Sequence, residues 1–293
     1  MMRQYVGGST RIVAIIGNPL GHSLSPLIHN HVYAKLKLPY VYVPYSVLPH
    51  NVHQVLYGLR ACGNFAGANV TIPYKQSIIP YCDIVSELSQ LTSTANTLYM
   101  EDGLLLATTT DFEGFSRAIA WMGFELKGSK IAILGNGGTA RTFAFALAAL
   151  KLPDSLTLIG RDVQKVANLA DEITKKTQFP ITVEGLGSPS LKATLAQCTL
   201  CVNCTPVGMH PNIGVSPLPP DVMHKNLTVF DTIYNPKETM LLSMAKAAGC
   251  AHQNGLRMLV GQALASIGYW CNITIPDAIV GISEINELEE AIL

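Results

Sequence analysis

The sequence predicts an α/β protein with two domains, and two observations lead to that prediction. The mid-chain segment at 130–141 reads KIAILGNGGTAR, which combines a short apolar strand, a glycine turn and the start of a helix. After it, short apolar strands alternate with helical segments, a pattern typical of a doubly wound parallel sheet. We therefore predict an N-terminal α/β domain with a mixed sheet, followed by a C-terminal Rossmann domain that binds a dinucleotide.

The glycine turn has the spacing G-x-G-x-x-A, in the strand-then-helix context that a dinucleotide loop needs. Gly135 allows the turn, Gly137 lets the backbone approach a pyrophosphate, and Ala140 permits close helix–strand contact. A tight turn without a ligand is the alternative. The predicted cofactor-binding residues of this loop are Gly135, Asn136, Gly137, Gly138, Thr139 and Ala140.

Before the glycine turn, periodicity predicts strands and helices that form a mixed sheet. Ser25 and Pro26 indicate a helix start, with serine at the cap and proline at the first helical position. A hairpin turns at Glu101-Asp102-Gly103. The predicted strands are 11–16, 40–47 and 65–71, and the predicted helices are 25–36, 50–62 and 112–123, with two short helices before 95.

After the turn, the alternation of elements is regular. The predicted strands are 156–159, 181–183, 200–203 and 229–233, and the predicted helices are 143–150, 163–176, 191–196, 237–248, 255–271 and 276–293. We expect the last two helices to pack back toward the first domain. The predicted domains are therefore 1–111 together with 256–293 for the substrate, and 112–255 for the dinucleotide.

The composition excludes some classes of function. Of 293 residues, 48% are hydrophobic and 14% charged, and the net charge is zero. The chain lacks the basic excess of proteins that bind nucleic acids or anionic membranes. Its most apolar helical segment, 143–150, is much shorter than the about 20 residues that span a bilayer. The apolar run near the N-terminus is too short for a signal peptide. We expect a soluble cytoplasmic protein with no nucleic-acid or membrane partner.

Two patterns suggest metal sites only weakly. Cys198, Cys201 and Cys204 form C-x-x-C-x-x-C, which resembles an iron–sulfur run. No fourth cysteine follows at suitable spacing, and the segment fits a buried strand. Three histidines have no carboxylate to complete a ligand set: His22, His29 and His31. We predict buried thiols, histidines on a helix face and no metal.

Polar residues of the first domain form a candidate site for a small anion. Ser23 and Ser25 place two hydroxyls before a helix N-terminus, where a carboxylate binds favourably. Asn69 and Thr71 alternate with Val70, so both side chains leave the strand end on one face.

Three further residues are expected near the same sheet edge. Lys75 follows a proline and is predicted to start a helix, while Asn96 and Asp111 lie at the two ends of the hairpin. Each has a plain structural alternative, because Ser25 and Asp111 can be helix caps, Asn96 can shape a turn and Lys75 can be a solvated lysine.

Ordered motifs along nearly the whole chain resemble one family. They are GNPLGHSLSPLIHN (17–30), NVTIPYK (69–75), ANT (95–97), Thr110-Asp111 with Gly114, GNGGTAR (135–141), NCTPVGM (203–209), DTIYNPKET (231–239) and MLVGQA (258–263). Together they resemble the shikimate dehydrogenase family. The chain departs from the family's usual Gly-Ala-x-Asn-Thr at 93–97 and from its usual Asn-Thr-Asp at 109–111, but Asn96 and Asp111 are retained.

The resemblance implies reversible reduction of 3-dehydroshikimate to shikimate by a nicotinamide cofactor. Reduction of a ketone by hydride needs a proton donor. We expect Lys75 to supply that proton and Asp111 to orient it and hold the reacting hydroxyl. The implied carboxylate-binding residues are Ser23, Ser25 and Tyr234, and those implied to bind ring hydroxyls are Asn69, Thr71, Asn96 and Gln262.

The second strand of the dinucleotide fold predicts which cofactor is used. Many NAD-binding folds have an acidic residue at its end, but this chain has Gly160 there, followed by Arg161. Arg161 can pair with a 2′-phosphate, and Lys165 adds a second cation, whereas Asp162 either caps a helix or weakens phosphate binding. We predict a preference for NADP.

Two other functions remain open at this stage: a dehydrogenase that also oxidises quinate with NAD, and a non-catalytic nucleotide sensor on the same fold. The Lys75–Asp111 pair disfavours the sensor, which needs neither residue. A homodimer is one expectation for the oligomeric state, which the sequence leaves undecided.

Overall fold

The computed structural model describes residues 6–21, 23–276 and 279. They divide into two compact units, each built on its own sheet. The first unit comprises the described residues up to Gly114 and those from Leu259 onward, and the second comprises Phe115–Met258.

The first unit contains a six-stranded mixed sheet, as predicted. Its strands are β1 (Arg11–Gly17), β2 (Tyr40–Ser46), β3 (Phe65–Val70), β4 (Ile84–Val85), β5 (Thr97–Glu101) and β6 (Leu104–Thr108). The helices in this part of the chain are α1 (Ser25–Lys35), α2 (Val52–Arg60), α3 (Glu87–Thr92) and α4 (Asp111–Trp121), with 3₁₀ turns at Pro49–Asn51 and Ile79–Tyr81.

The strand order β2-β1-β3-β5-β6-β4 puts β3 inside the sheet. β3 is parallel to β1 and antiparallel to β5, and all six of its residues are buried. β5 and β6 form the predicted hairpin, in which Thr97 pairs with Thr108 and Glu101 with Leu104. At its tip Asp102 and Gly103 both have positive φ, 50° and 79°, as a two-residue type I′ turn requires.

The second unit contains a parallel sheet. Its strands are β7 (Lys130–Leu134), β8 (Ser155–Gly160), β9 (Ile181–Gly185), β10 (Leu200–Asn203), β11 (Thr228–Asp231) and β12 (Ala251–Gln253). The helices are α5 (Gly138–Ala149), α6 (Val163–Thr177), α7 (Leu191–Ala196), α8 (Met240–Ala247) and α9 (Leu256–Cys271), with a 3₁₀ turn at Pro220–Val222; α9 continues into the first unit.

The order β12-β11-β10-β7-β8-β9 is the 3-2-1-4-5-6 arrangement of a dinucleotide-binding fold, with β7 as its first strand. The chain reverses direction across the sheet between β7 and β10, and ligands bind at such switch points. The glycine turn follows β7 directly, so the predicted Rossmann arrangement is confirmed.

Two strands were not predicted, β4 and β12, which have only two and three residues. Such short strands carry too few residues for an alternating pattern to show. The predicted terminal helix at 276–293 lies almost entirely outside the described residues. Within the described part of the chain, none of the helices reaches the length and hydropathy of a membrane-spanning segment.

Candidate active site

A lysine and an aspartate form an ion pair in the polar cluster of the first unit. Lys75 Nζ lies 2.5 Å from Asp111 Oδ2, and the two side chains are 23% and 9% exposed. Asp111 is the first residue of α4, where the positive end of the helix dipole favours a carboxylate. The prediction that Lys75 starts a helix is wrong. Lys75 lies in a turn, because its carbonyl accepts from the Ala95 N–H at 2.8 Å. That bond ties the turn to the residue before Asn96.

The side-chain amide of Asn96 holds the other carboxylate oxygen of Asp111. Asn96 Nδ2 donates to Asp111 Oδ1 at 2.8 Å, and Asn96 Oδ1 accepts from the Thr110 N–H at 2.8 Å. Since a backbone N–H can only donate, the amide oxygen must face Thr110 and the nitrogen must face Asp111. Both oxygens of the carboxylate are therefore held, one by a lysine and one by an amide.

Helix α9 adds two side chains, one turn apart, to this cluster. Gln262 Oε1 accepts from Asn96 Nδ2 at 3.3 Å, and Gln262 Nε2 donates to the Leu259 carbonyl at 3.0 Å. Ser266 donates to the Gln262 carbonyl at 2.9 Å. Gln262 was predicted as a site residue and Ser266 was not. The signal that could have identified Ser266 is its spacing of four residues from Gln262, which puts both on one helix face.

Asn69 was predicted to bind ring hydroxyls, but its amide is used inside the protein. Its Oδ1 accepts from the Tyr42 hydroxyl at 2.7 Å. Its Nδ2 lies 3.0 Å from the Asn96 carbonyl, 3.1 Å from Thr97 Oγ1 and 3.1 Å from Ser266 Oγ. The side chain is buried, because β3 is an interior strand. Asn69 therefore supports Asn96, and both of its donor hydrogens have internal partners.

The two serines predicted to bind a carboxylate lie at the start of α1. The prediction that Ser25 caps this helix is wrong: the N-cap is Leu24, with φ −83° and ψ −9° and no side-chain cap bond. A side-chain cap needs an extended backbone at that position, so Ser25 falls inside the first turn. Its side chain is buried, and its N–H donates to Ser23 Oγ at 3.4 Å. The Ser25 hydroxyl is therefore not used to cap the helix.

The remaining two predicted substrate residues belong to different units. Thr71 follows β3 in the first unit and is half-buried, and its hydroxyl has no hydrogen-bond partner among the described residues. Tyr234 follows β11 in the second unit and is also half-buried. Burial raises the pKa of the Tyr234 phenol above its ordinary value, so Tyr234 is a neutral hydrogen-bond donor.

A buried aspartate that was not predicted as a site residue holds the backbone before Tyr234. Asp231 Oδ1 accepts from the Ile233 N–H at 3.1 Å and from Asn203 Nδ2 at 3.0 Å, and Oδ2 accepts from Thr239 Oγ1 at 2.7 Å. Burial raises the pKa of Asp231 to about 6 despite these bonds.

The glycine loop of the second unit has the geometry of a phosphate-binding turn. Gly135 has φ of 105°, which a side chain would strain. α5 begins at Gly138, and its N-cap, Gly137, provides no side-chain cap bond. A Cβ on Gly137 or Gly138 would meet nothing within 4 Å, so the helix start is accessible, whereas Ala140 is fully buried. Unpaired N–H groups at an accessible helix start favour an anion.

The charged residues in and after the turn that follows β8 differ in their hydrogen bonds and ion pairs. A Cβ on Gly160 would collide with Val166 of α6, which explains the glycine. Asp162 caps α6 by accepting from the Lys165 N–H at 3.2 Å, a bond that lowers the pKa of Asp162, and Lys165 Nζ lies 3.5 Å from the same carboxylate. Arg161 is exposed and has no ion-pair partner within the described ranges. Asp162 therefore offsets the charge of Lys165, and Arg161 is the cation left for a phosphate.

The cysteines and histidines do not form a metal centre in the part of the chain that the structure describes. All seven cysteines are free thiols, and Cys201 lies in β10, where burial raises its pKa. His29 is completely buried and stacks on Tyr42 with ring centroids 4.0 Å apart. Burial lowers the pKa of His29 to about 3, so its imidazole is neutral.

Comparisons with known proteins give the family. A family model described as the shikimate dehydrogenase substrate binding domain matches residues 15–98. A shikimate dehydrogenase (NADP(+)) from Moorella thermoacetica is 38% identical over 275 residues, covering 94% of this chain and 92% of the relative. This chain belongs to the shikimate dehydrogenase family.

Two solved shikimate dehydrogenases are similar in structure over almost their whole length. One, a complex with NADP+, has a TM-score of 0.90 and 33% identity, with 99% of this chain and 98% of that chain covered. The other, from Listeria monocytogenes in complex with shikimate and NAD, has a TM-score of 0.89 and 30% identity, with 99% of both chains covered. The family's substrate-binding domain model covers all of β3, which carries Asn69, and the first two residues of β5, which include Thr97.

Proposed function

We propose that this protein catalyses the reversible reduction of 3-dehydroshikimate to shikimate with NADPH. The observation that carries the proposal is the Lys75–Asp111 pair at 2.5 Å, whose carboxylate is also held by Asn96, in a chain of this family. A nucleotide sensor needs no such pair. The first unit would bind the substrate and the second unit the cofactor.

Lys75 and Asp111 have complementary roles in this reaction. When bound, the reduced nicotinamide would supply the hydride that adds to the ketone carbon of the substrate, which leaves the former carbonyl oxygen as an alkoxide. Lys75 donates a proton from its ammonium to that alkoxide oxygen, and a positioned proton donor is worth about 10²- to 10⁴-fold in rate. Asp111 holds the ammonium in place and accepts a hydrogen bond from the reacting hydroxyl. The partial exposure of Lys75 lets solvent return the proton.

The remaining polar residues recognise the substrate. Thr71, Asn96 and Gln262 would bind ring hydroxyls. Asn69, also predicted to bind ring hydroxyls, would act next to Asn96, whose carbonyl accepts from Asn69 Nδ2 at 3.0 Å. The hydroxyls that would bind the carboxylate belong to Ser23, Ser25 and Tyr234. A site of this kind relies on neutral donors, which orient a carboxylate without neutralising it.

The residues of the second unit fit NADP. Gly135–Ala140 and the accessible start of α5 would hold the pyrophosphate, as the order of the six parallel strands and the open space outside Gly137 and Gly138 allow. Arg161 would hold the 2′-phosphate, with a smaller contribution from Lys165. Asp162 keeps its negative charge as the cap of α6, and its repulsion of a phosphate is offset by Lys165, whose Nζ lies 3.5 Å from Asp162 Oδ2.

The test is an assay of purified protein with shikimate or quinate and with NADP or NAD. We expect the highest kcat/KM with shikimate and NADP. Preference for quinate with NAD would overturn the proposal in favour of a quinate dehydrogenase, and nucleotide binding without turnover would indicate a sensor. We further propose a cytoplasmic homodimer, which light scattering in solution and subcellular fractionation test separately.

A further inference from the structure

The first unit contains a buried hydroxyl that the catalytic proposal does not use. Ser266 of α9 is 0% exposed, so it cannot touch a substrate. Its Oγ lies 3.1 Å from Asn69 Nδ2, 2.9 Å from Thr97 Oγ1 and 3.1 Å from Thr110 Oγ1. Polar groups from three strand ends therefore meet at a single hydroxyl oxygen of α9.

Counting hydrogens fixes the role of each group. The Ser266 hydroxyl donates to the Gln262 carbonyl at 2.9 Å, and that carbonyl can only accept. A hydroxyl has one hydrogen and two acceptor lone pairs, so the Ser266 oxygen accepts from its other neighbours. Asn69 Nδ2 can only donate, and Thr97 Oγ1 gives its hydrogen to Asn96 Oδ1, so the second hydrogen comes from Thr110 Oγ1. Ser266 is then fully hydrogen-bonded.

The same neighbours orient the amide that holds Asp111. Thr97 Oγ1 donates to Asn96 Oδ1 at 2.9 Å, and Thr110 Oγ1 lies 3.2 Å from the same oxygen. Loss of the acceptor at Ser266 would leave the Thr110 hydroxyl to turn to Asn96 Oδ1 or to Thr97 Oγ1, each 3.2 Å away. Either turn changes the hydrogen bonds that orient the Asn96 amide, in an interior where an unpaired donor costs about 1–3 kcal/mol.

We propose that Ser266 is a positioning residue for the reaction. It fixes the turn of α9 that carries Gln262 against Asn69 and Thr97, and it thereby keeps the Asn96 amide directed at Asp111. This inference rests on the proposed function, since it assigns Ser266 a role in that reaction.

A matched pair of variants separates the hydroxyl from packing. Ser266→Thr keeps the hydroxyl and Ser266→Val replaces it with a methyl group of the same shape, so both add the same volume. We expect Ser266→Val to have kcat/KM for shikimate about 10-fold below that of Ser266→Thr, the effect of one buried hydrogen bond. The KM for NADP should be equal in the two. Equal kcat/KM values for shikimate in two folded variants would overturn the proposal.

A double-mutant cycle decides the question if the added methyl prevents folding. Ser266→Ala should lower kcat/KM for shikimate about 10-fold in the wild-type background, but less than about twofold in an Asn96→Ala background, because the effect of Ser266 acts through the Asn96 amide and coupled residues are not additive. Equal losses in both backgrounds would show that Ser266 only packs. A wild-type enzyme that cannot oxidise shikimate would overturn the proposed function and this inference with it, whereas an active wild type with additive losses overturns this inference alone.

Discussion

Replacing Lys75 tests whether the ion pair transfers a proton or only supplies charge. Lys75→Ala removes both the proton donor and the cation beside Asp111. Lys75→Arg keeps a cation that can pair with the carboxylate but does not release its proton in proteins. The two variants differ in charge and share the loss of proton transfer.

The structure sets the expected size of each effect. Asp111 is 9% exposed, and in Lys75→Ala it keeps its hydrogen bond from Asn96 and its place at the start of α4. We therefore expect the free energy of unfolding to fall by about 1–3 kcal/mol, the cost of a buried group that loses one partner. The kcat should fall by about 10²-fold or more, as general acid–base loss predicts, with a much smaller change in KM for shikimate.

Steady-state kinetics in both directions and urea denaturation are the measurements. Lys75→Arg should be nearly as stable as the wild type yet lose kcat to the same degree as Lys75→Ala. Lys192, paired with Asp221 at 3.3 Å on the surface, offers a matched control: Lys192→Ala should change neither stability nor kcat noticeably, since exposed pairs contribute about 0–1 kcal/mol. A Lys75→Arg enzyme with near-normal kcat would refute proton donation by Lys75.

Three further substitutions test other parts of the proposal. Ser25→Ala should raise KM for shikimate about 10-fold, as expected when the substrate carboxylate loses a hydrogen bond. The free energy of unfolding should change little, because Ser25 does not cap α1. An unchanged KM would exclude Ser25 from the site. Arg161→Ala should reduce the ratio of kcat/KM for NADP to that for NAD about 10- to 100-fold, and a larger effect from Lys165→Ala would place the phosphate elsewhere. Asp231 has a folded-state pKa of about 6, above its unfolded value, so its contribution to stability is full below about pH 4 and is lost as the pH rises through 6. Asp231→Asn should remove this decline, which amounts to at most roughly 3 kcal/mol in the wild type, and parallel stability–pH curves for the two proteins would contradict it.

The sequence predicted most of the fold because the signals were local. The strand, glycine turn and helix around Gly135 needed only periodicity and a short motif. The same local reasoning went wrong at Ser25, where a serine before a proline suggested a cap although the backbone of Leu24 is helical. It also went wrong at Lys75, whose carbonyl accepts a hydrogen bond from the N–H of Ala95, a residue 20 positions away along the chain.

The composition of the candidate site was predictable, but its hydrogen-bond network was not. Motifs predicted Asn96, Asp111 and Gln262 as site residues, and their side chains lie in one hydrogen-bonded cluster. The inward orientation of Asn69 depends on β3 being an interior strand, and the role of Ser266 depends on how α9 packs against strand ends far away in sequence. Such tertiary contacts leave no periodic or motif signal in a single chain.

The two ends of the β5–β6 hairpin have different surroundings. At one end, Thr97 belongs to the network that orients Asn96. At the other, residues 101–104 are exposed, about 13 Å along the strands at the usual rise per residue. The tip is therefore a suitable place to insert a peptide tag or to attach a fluorophore, because the paired strands keep added chain away from the ion pair while the label stays fixed to the unit that carries it.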